Sequence, residues 1–480
     1  MSLTASEASL NLPPRFAKIK QNLIIGKEDA VVASWARLLD QLRSEIDHIT
    51  KAGPAVIPSI DFQDIQGDSQ AREFSRCLRK RGVGVIRGVV SGDTIDGWVT
   101  ENEEYISHNG GTRDSPFRGC HPRDMYWSPA QIKARACPNV LAAQAFLLNL
   151  WQTSDPEAAL ATNFPTSYAD RLHMEDPDDC GDTSFSKQTG YMDGGSVERW
   201  ETDGYGVGST YQNIWDGRWE EYNPWDSSTR LKISTNLYNS ASACSMFRMF
   251  NGYLCLNNGR PPGGESPLRL CPMLQLTTAY VLLRPFFSPV HSSPGSPAFL
   301  SADNWILERP FSSAIQGAAP SFRQELSDAL HPHLRLSESM IQVPALSPGD
   351  YLVWHCDSIS SPTATITTTS NRGAAPRPTG MYLPACPLTR TNAMYLVRQR
   401  RAFLLGQPGP DFDDGARGEG GHMGRPGVQE ICDAGGNGGL RAMGLLAWDE
   451  CDVEDGSSEA VVLEMANNIL FPDRHGFDMG

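Results

Sequence analysis

With 480 residues, 40% hydrophobic and 20% charged, the chain can bury a large core spread over about one to three domains. Its net charge of −15 argues against nucleic acid, which needs clustered Lys and Arg, and against docking on an anionic membrane. No stretch reaches the roughly 18 apolar residues of a spanning helix; the best run, Thr277 to Val290, is interrupted by Arg284.

The N-terminus lacks a basic region followed by an apolar run, so no signal peptide is expected. The cysteines number 11, are scattered and form no Cys-x-x-Cys pair. Neither a zinc site nor a disulfide framework is implied, and reduced thiols in a cytoplasmic protein are the expectation.

Helical spacing begins the chain. Residues 14–52 read as helical, with Val31, Val32, Trp35, Leu38, Leu39, Leu42 and Ile46 as the apolar set. Gly53-Pro54 ends the element. A second helix is predicted from Ser69 to Arg81, then a strand over 82–90. Residues 93–107 and 128–152 are again helical, the latter opened by Ser128 as N-cap and Pro129 in the first turn. From about 160 to 400, short β-rich runs alternate with Gly, Pro, Asn and Ser turns. The runs are 245–250, 253–256, 274–283, 350–354 and 380–383, the pattern of an antiparallel barrel or double-sheet jelly roll. Thr389 to Leu404 reads as a helix. Residues 406–440 read as a Gly/Pro-rich wrap or lid with little regular structure, and the acidic last forty residues are weakly periodic.

Two segments stand out: Gly190-Tyr-Met-Asp-Gly-Gly-Ser-Val-Glu-Arg-Trp200 and Gly349-Asp-Tyr-Leu-Val-Trp-His-Cys-Asp-Ser-Ile-Ser360. They resemble the two metal-bearing strands of the iron/2-oxoglutarate oxygenases, which carry His-x-Asp and a distal His. Further stretches are similar in order to the YbiU-like branch of that family: 81–90, 126–131, 217–226, 245–250, 280–287, 354–357 and 382–388. The resemblance implies a mainly β fold with α, a double-stranded β-helix (cupin-like jelly roll) wrapped by N-terminal and C-terminal helices. It divides the chain into a helical region at 1–80, an oxygenase-like domain at 81–405, and a wrap and tail at 406–480.

The same resemblance places Tyr191 and Ser360 where the two histidines stand, and Asp193 alone keeps a ligand position. Iron needs two neutral imidazoles and a carboxylate. A phenol with a reference pKa of about 10, or an alcohol, ionises too poorly to replace them. No metal and no cofactor are therefore expected, with Fe(II) and 2-oxoglutarate retained only if the ligands lie elsewhere. One such placement is His355-Cys356-Asp357 with His422, although His422 lies in a segment without strand character.

Each candidate also has a plain structural reading. Asp193 precedes Gly194-Gly195 and is either a turn aspartate or a general base in a pocket. Tyr191 is an apolar plug or a proton donor. His355 and Asp357 alternate on a strand, as a satisfied buried pair or a proton-transfer couple. Arg248 and Arg284 sit in apolar runs, and either is positioned to grip a substrate carboxylate. Arg372 and Arg377 are further candidates or solvated loop charges. Trp215, Trp219, Trp225 and Tyr222 read first as packing. The expected function is a cofactor-independent isomerisation, cyclisation or dehydration of a small, carboxylated metabolite in specialised metabolism. Asp193, Tyr191 and His355 are its candidate catalytic groups; Arg248, Arg284, Ser360 and Asp357 are its candidate binding groups. A dioxygenase with non-standard ligands and a non-catalytic metabolite binder are the alternatives.

Overall fold

The computed structural model describes residues 12–109, 125–175, 189–240, 243–256, 268–291, 297–362, 377–412 and 418–475. The first helical region is two helices, α1 (Arg15–Ile24) and α2 (Glu28–Ala52). The break falls where Gly26 takes φ +73°, a conformation that suits a residue without Cβ. The α2 stripe is buried at Val31, Trp35, Leu38, Leu39, Leu42, Ile46 and Ile49. Val32 is 43% exposed, because neighbours in sequence point about 100° apart around a helix.

Helix α3 (Asp68–Arg81) ends at Gly82 with φ +71°, and strand β2 (Val83–Arg87) follows, paired in parallel with β1 (Ser59–Asp61). A Cβ on Gly82 would lie 2.8 Å from Leu274 and 2.9 Å from Ser358, so the turn is glycine for both conformation and space. Helix α4 (Gly92–Asn109) follows. The predicted helix at 128–152 is α5 (Pro129–Ala136) and α6 (Pro138–Leu148), because Pro138 restarts the helix after Cys137. Ser128 caps α5: its backbone N–H donates to Gln131 Oε1 at 3.2 Å.

The β-rich half forms two principal sheets. Its strands are β3 (Leu160–Thr166), β4 (Leu172–Glu175), β5 (Gly190–Met192), β6 (Phe250–Cys255), β7 (Leu268–Leu270), β8 (Phe287–Pro289), β9 (Trp305–Leu307), β10 (Gln324–Leu326), β11 (Ile341–Gln342), β12 (Tyr351–His355), β13 (Ile359–Pro362), β14 (Arg377–Tyr382) and β15 (Cys386–Thr389). One sheet runs β1-β2-β12-β6-β14-β4 and the other β10-β5-β13-β7-β11. The antiparallel pairs β4·β14, β5·β13, β6·β12 and β7·β11 nest the first of these strands with the last. The described residues thus make a mixed α/β fold with two open sheets. Strands β6 and β12 are buried at every position, as central strands covered on both faces are.

Three sequence expectations change. Leu274–Leu283 is a helix, α7, not a strand. It is apolar on all sides and buried, and periodicity alone does not separate such a run from an interior strand. The run at 245–250 contributes only Phe250 to a strand. The wrap at 406–440 contains the start of α9 (Val428–Ala442), interrupted at Gly436 with φ +56°. Helix α8 (Arg390–Leu405) agrees with its expected span, and the tail adds α10 (Ser458–Leu470).

The N-terminal helices share one apolar core with α7 and with residues 192–222 and 299–359. The fully buried Lys20 of α1 donates to the Pro285 and Ala314 carbonyls at 2.8 and 3.2 Å and pairs with Glu308 at 3.1 Å. A second core packs α3 to α6 against β6 and β12. Those helices cover one face of the first sheet.

Candidate functional site

Strand β5 runs directly into Asp193-Gly194-Gly195, where the chain reverses with φ +74° and +100° at the two glycines. A Cβ at Gly195 would sit 2.9 Å from the Thr235 carbonyl. The turn is locked from below. The Arg199 guanidinium donates to the Asp193 carbonyl and, at 2.6 Å, to that of Gly195, while the Tyr205 hydroxyl donates to Gly194. Glu198 accepts the backbone N–H of Ser196 at 2.7 Å and of Leu237 at 3.2 Å. Backbone carbonyls that would otherwise drift in water are thus fixed, and the Asp193 side chain with them.

A cavity of about 310 Å3 lies against this turn, lined among others by Asp193, Arg230, Arg248, Arg323, Cys244 and Cys356. The Asp193 carboxylate, 26% exposed, accepts Asn251 Nδ2 at 2.7 Å and stands 3.6 Å from Arg248. Both contacts fall on Oδ2; Oδ1 has no hydrogen-bond partner among the described residues. Burial works against the charge of Arg248, but Cys244 and Asp193 outweigh it and hold the guanidinium above its ordinary range. Burial pushes the Cys244 thiol up to about 11 and Cys356 up to about 12, so neither is a ready nucleophile.

Tyr191 and Ser360 are direct partners in the β5·β13 register. Opposed residues in a sheet project to the same face, so the two substituted positions are neighbours. The Arg323 guanidinium lies over the Tyr191 ring, 5.1 Å from its centroid.

His355 and Asp357 occupy a different setting. His355 is fully buried, stacked on Trp151 at 4.7 Å and edge-on to Trp225 at 4.8 Å. Its Nδ1 accepts the Asp357 backbone N–H at 3.0 Å, which leaves Nε2 to donate to the Pro224 carbonyl at 3.0 Å. Burial pushes the imidazole down to about 3, so it stays neutral. Asp357 pairs with Arg230 at 2.5 Å, flanked by the Tyr211 and Tyr222 hydroxyls at 3.4 Å. Burial works to raise its carboxyl, but Arg230 prevails and holds it at about 2.

The structure therefore brings Asp193 and Arg248 together in the cavity wall, with Tyr191 and Ser360 adjacent in the sheet. It does not bring His355 there. Both ring nitrogens are already committed, which corrects the expectation of a proton-transfer couple. Arg284 is also elsewhere: it donates to the Leu330 and Phe287 carbonyls at 3.1 and 2.9 Å and lies over Trp305. Trp225 packs on His355 and Trp219 donates to the Ser34 carbonyl, as the packing reading has it. Arg372 and the Arg377 side chain lie outside the described residues. The alternative iron set is not assembled either, since His422 bonds Tyr105 at 2.9 Å. Among the described residues no three His, Cys, Asp or Glu side chains stand close enough to hold a metal.

Sequence reasoning did not single out Arg199, Asn251, Arg230 or Arg323. Arg199 lies inside the conspicuous Gly194–Trp200 string, and Asn251 follows the Arg248 run, so both were within reach. Arg230 and Arg323 lie in irregular segments and carry no local signal.

The described residues thus form a mixed α/β protein with two principal sheets and a cavity of about 310 Å3 against the turn that follows β5. The chain matches the Gig2-like family over residues 10–445, and it belongs to that family. It is 28% identical to the uncharacterized protein YbiU of Escherichia coli (strain K12) over 385 residues, covering 77% of this chain and 82% of that protein. Its fold is similar to that of GlcNAc Inducible Gene 2 from Candida albicans, with a TM-score of 0.78, 27% identity, and 96% and 95% of the two chains covered. A hypothetical protein from Escherichia coli gives 0.67 and 26%, with 89% and 96% covered.

Proposed function

We propose that this chain is an enzyme on an oxygenase-type jelly-roll scaffold that performs a non-oxidative acid–base step on a small carboxylated metabolite. The nested pairing of first strand with last is the pattern of a folded hairpin closed into a jelly roll, and it supports the scaffold. The single observation that carries the site is the Asp193–Arg248 pair, 3.6 Å apart in the cavity wall. The residues at the three expected ligand positions are a carboxylate, a phenol and an alcohol. That donor set does not fit Fe(II), and no step is routed through iron.

The chemistry follows from competition for one cation. A substrate carboxylate takes a bidentate seat on Arg248. The hold of that guanidinium on Asp193 weakens, and the carboxylate is freed to act on the substrate. Asn251 keeps Oδ2 fixed, so Oδ1 is the atom that removes a proton from the carbon beside the substrate's carbonyl or carboxyl group. Returning the proton to another atom gives an isomer; expelling hydroxide gives a dehydrated product and water.

The test is a mass-resolved screen of carboxylated metabolites, run anaerobically with excess chelator. A substrate should be converted with no mass change or with loss of one water, and Asp193→Asn should abolish it. Near-stoichiometric iron after anaerobic reconstitution, with succinate released from 2-oxoglutarate, would overturn the reading in favour of an oxygenase.

A further inference from the structure

We propose that Arg323 reads a second anionic group on the ligand, so that the cavity selects dianions, with dicarboxylates as the class, over monoanions. The inference rests on Arg248 being the seat for the first carboxylate.

The charges around the cavity are otherwise spoken for. Arg230 is paired with Asp357 at 2.5 Å, and Arg248 with Asp193 at 3.6 Å. Glu198, the other lining carboxylate, is occupied by the backbone N–H groups of Ser196 and Leu237. Arg323 lines the same cavity, yet it has no hydrogen-bonding or acidic partner among the described residues; its contact is the Tyr191 ring. An exposed arginine is ordinarily a solvated charge. This one is held on both sides. Before it, Ser321 takes φ +66° and its hydroxyl donates to the Tyr238 carbonyl at 2.6 Å, and Phe322 lines the cavity. After it, Gln324 is fully buried in β10, opposite Met192, and accepts from Arg199 at 3.2 Å.

A guanidinium held over an aromatic ring keeps N–H groups available for a carboxylate, and the ring limits the rotamers it must give up on binding. The residue standing at the first histidine position of the resembled family thereby acquires a purpose: Tyr191 is the platform that orients Arg323.

The test is calorimetric titration of the full chain with butyrate, glutarate and adipate at fixed ionic strength, since rim charges are screened by salt. At least one dicarboxylate should bind on the order of tenfold more tightly than butyrate, the scale of one added charge-assisted contact. Arg323→Gln should bring that ratio to within about twofold of unity, and Tyr191→Leu should lower it while Tyr191→Phe keeps it. Because the readout is a ratio, a general folding defect does not mimic it. A ratio near unity in the unmodified protein, or one unchanged in Arg323→Gln, overturns the inference. If butyrate binding requires Arg248 but dicarboxylates gain nothing, this inference alone falls. If butyrate binding ignores Arg248→Gln, or no probe binds, the anchor falls and takes this inference with it.

Discussion

The turn at Asp193 and the corner at His355 each hold an acid, an arginine and a ring, and they do opposite things with them. At the corner His355 and the Asp357–Arg230 pair are buried against Trp151 and Trp225, with both imidazole nitrogens and the carboxylate hydrogen-bonded. At the turn the Asp193–Arg248 pair is longer, at 3.6 Å, and both side chains keep access to a cavity. A tight buried pair fixes a fold; a loose, partly wet pair can exchange partners with a ligand. Residue type does not separate the two cases, whereas accessibility and unspent hydrogen-bonding capacity do.

Four measurements press on that contrast. The largest effect should be on turnover: Asp193→Asn should cost about three orders of magnitude or more, on the scale of removing an essential general base, with little change in melting temperature. Retention of most activity would put the turn on the same footing as the corner. Next, Arg230→Met should destabilise the fold by about 3–5 kcal/mol in chemical denaturation, because it strands the Asp357 carboxylate in the interior.

The third is a pH series. The His355 imidazole is held neutral down to about 3 in the fold, whereas in the unfolded chain it protonates near 6.5. Its contribution is present above 6.5 and is lost as pH falls toward 3. Between pH 6.5 and 4 the loss should be on the order of 3 kcal/mol, read as the difference between the parent and His355→Phe. An identical pH slope in both would show that the ring is not sealed. The smallest effect is on the stability side of the open pair: Arg248→Gln should change unfolding free energy by no more than about 1 kcal/mol while raising KM.

Much of this was legible in the chain itself. The α2 stripe, the stop at Gly82 and the cap at Ser128 are local signals with local causes, and they read correctly. Asp193 was visible because Gly194-Gly195 announces a reversal directly after a strand. The misreadings share one cause. An apolar run such as 274–283 is compatible with either period when no face is solvated, so only its packing under α2 decides for a helix. The His355–Asp357 string looked like a couple because alternation puts both on one face. The chain turns after His355, and Arg230, more than a hundred residues earlier, takes the carboxylate. Arg323 was illegible for the same reason, since its significance depends on a ring brought to it from β5.

The nested strand pairing also sets a timetable for synthesis. Strand β4 emerges from the ribosome at residues 172–175, but its partner β14 follows only at 377–382. Until then the first sheet presents an unclosed edge, and Lys20 waits for its acceptors at residues 285–314. Sheets whose partners are far apart in sequence fold slowly and leave edges exposed to aggregation. A nascent chain stalled before residue 377 should therefore be a chaperone client.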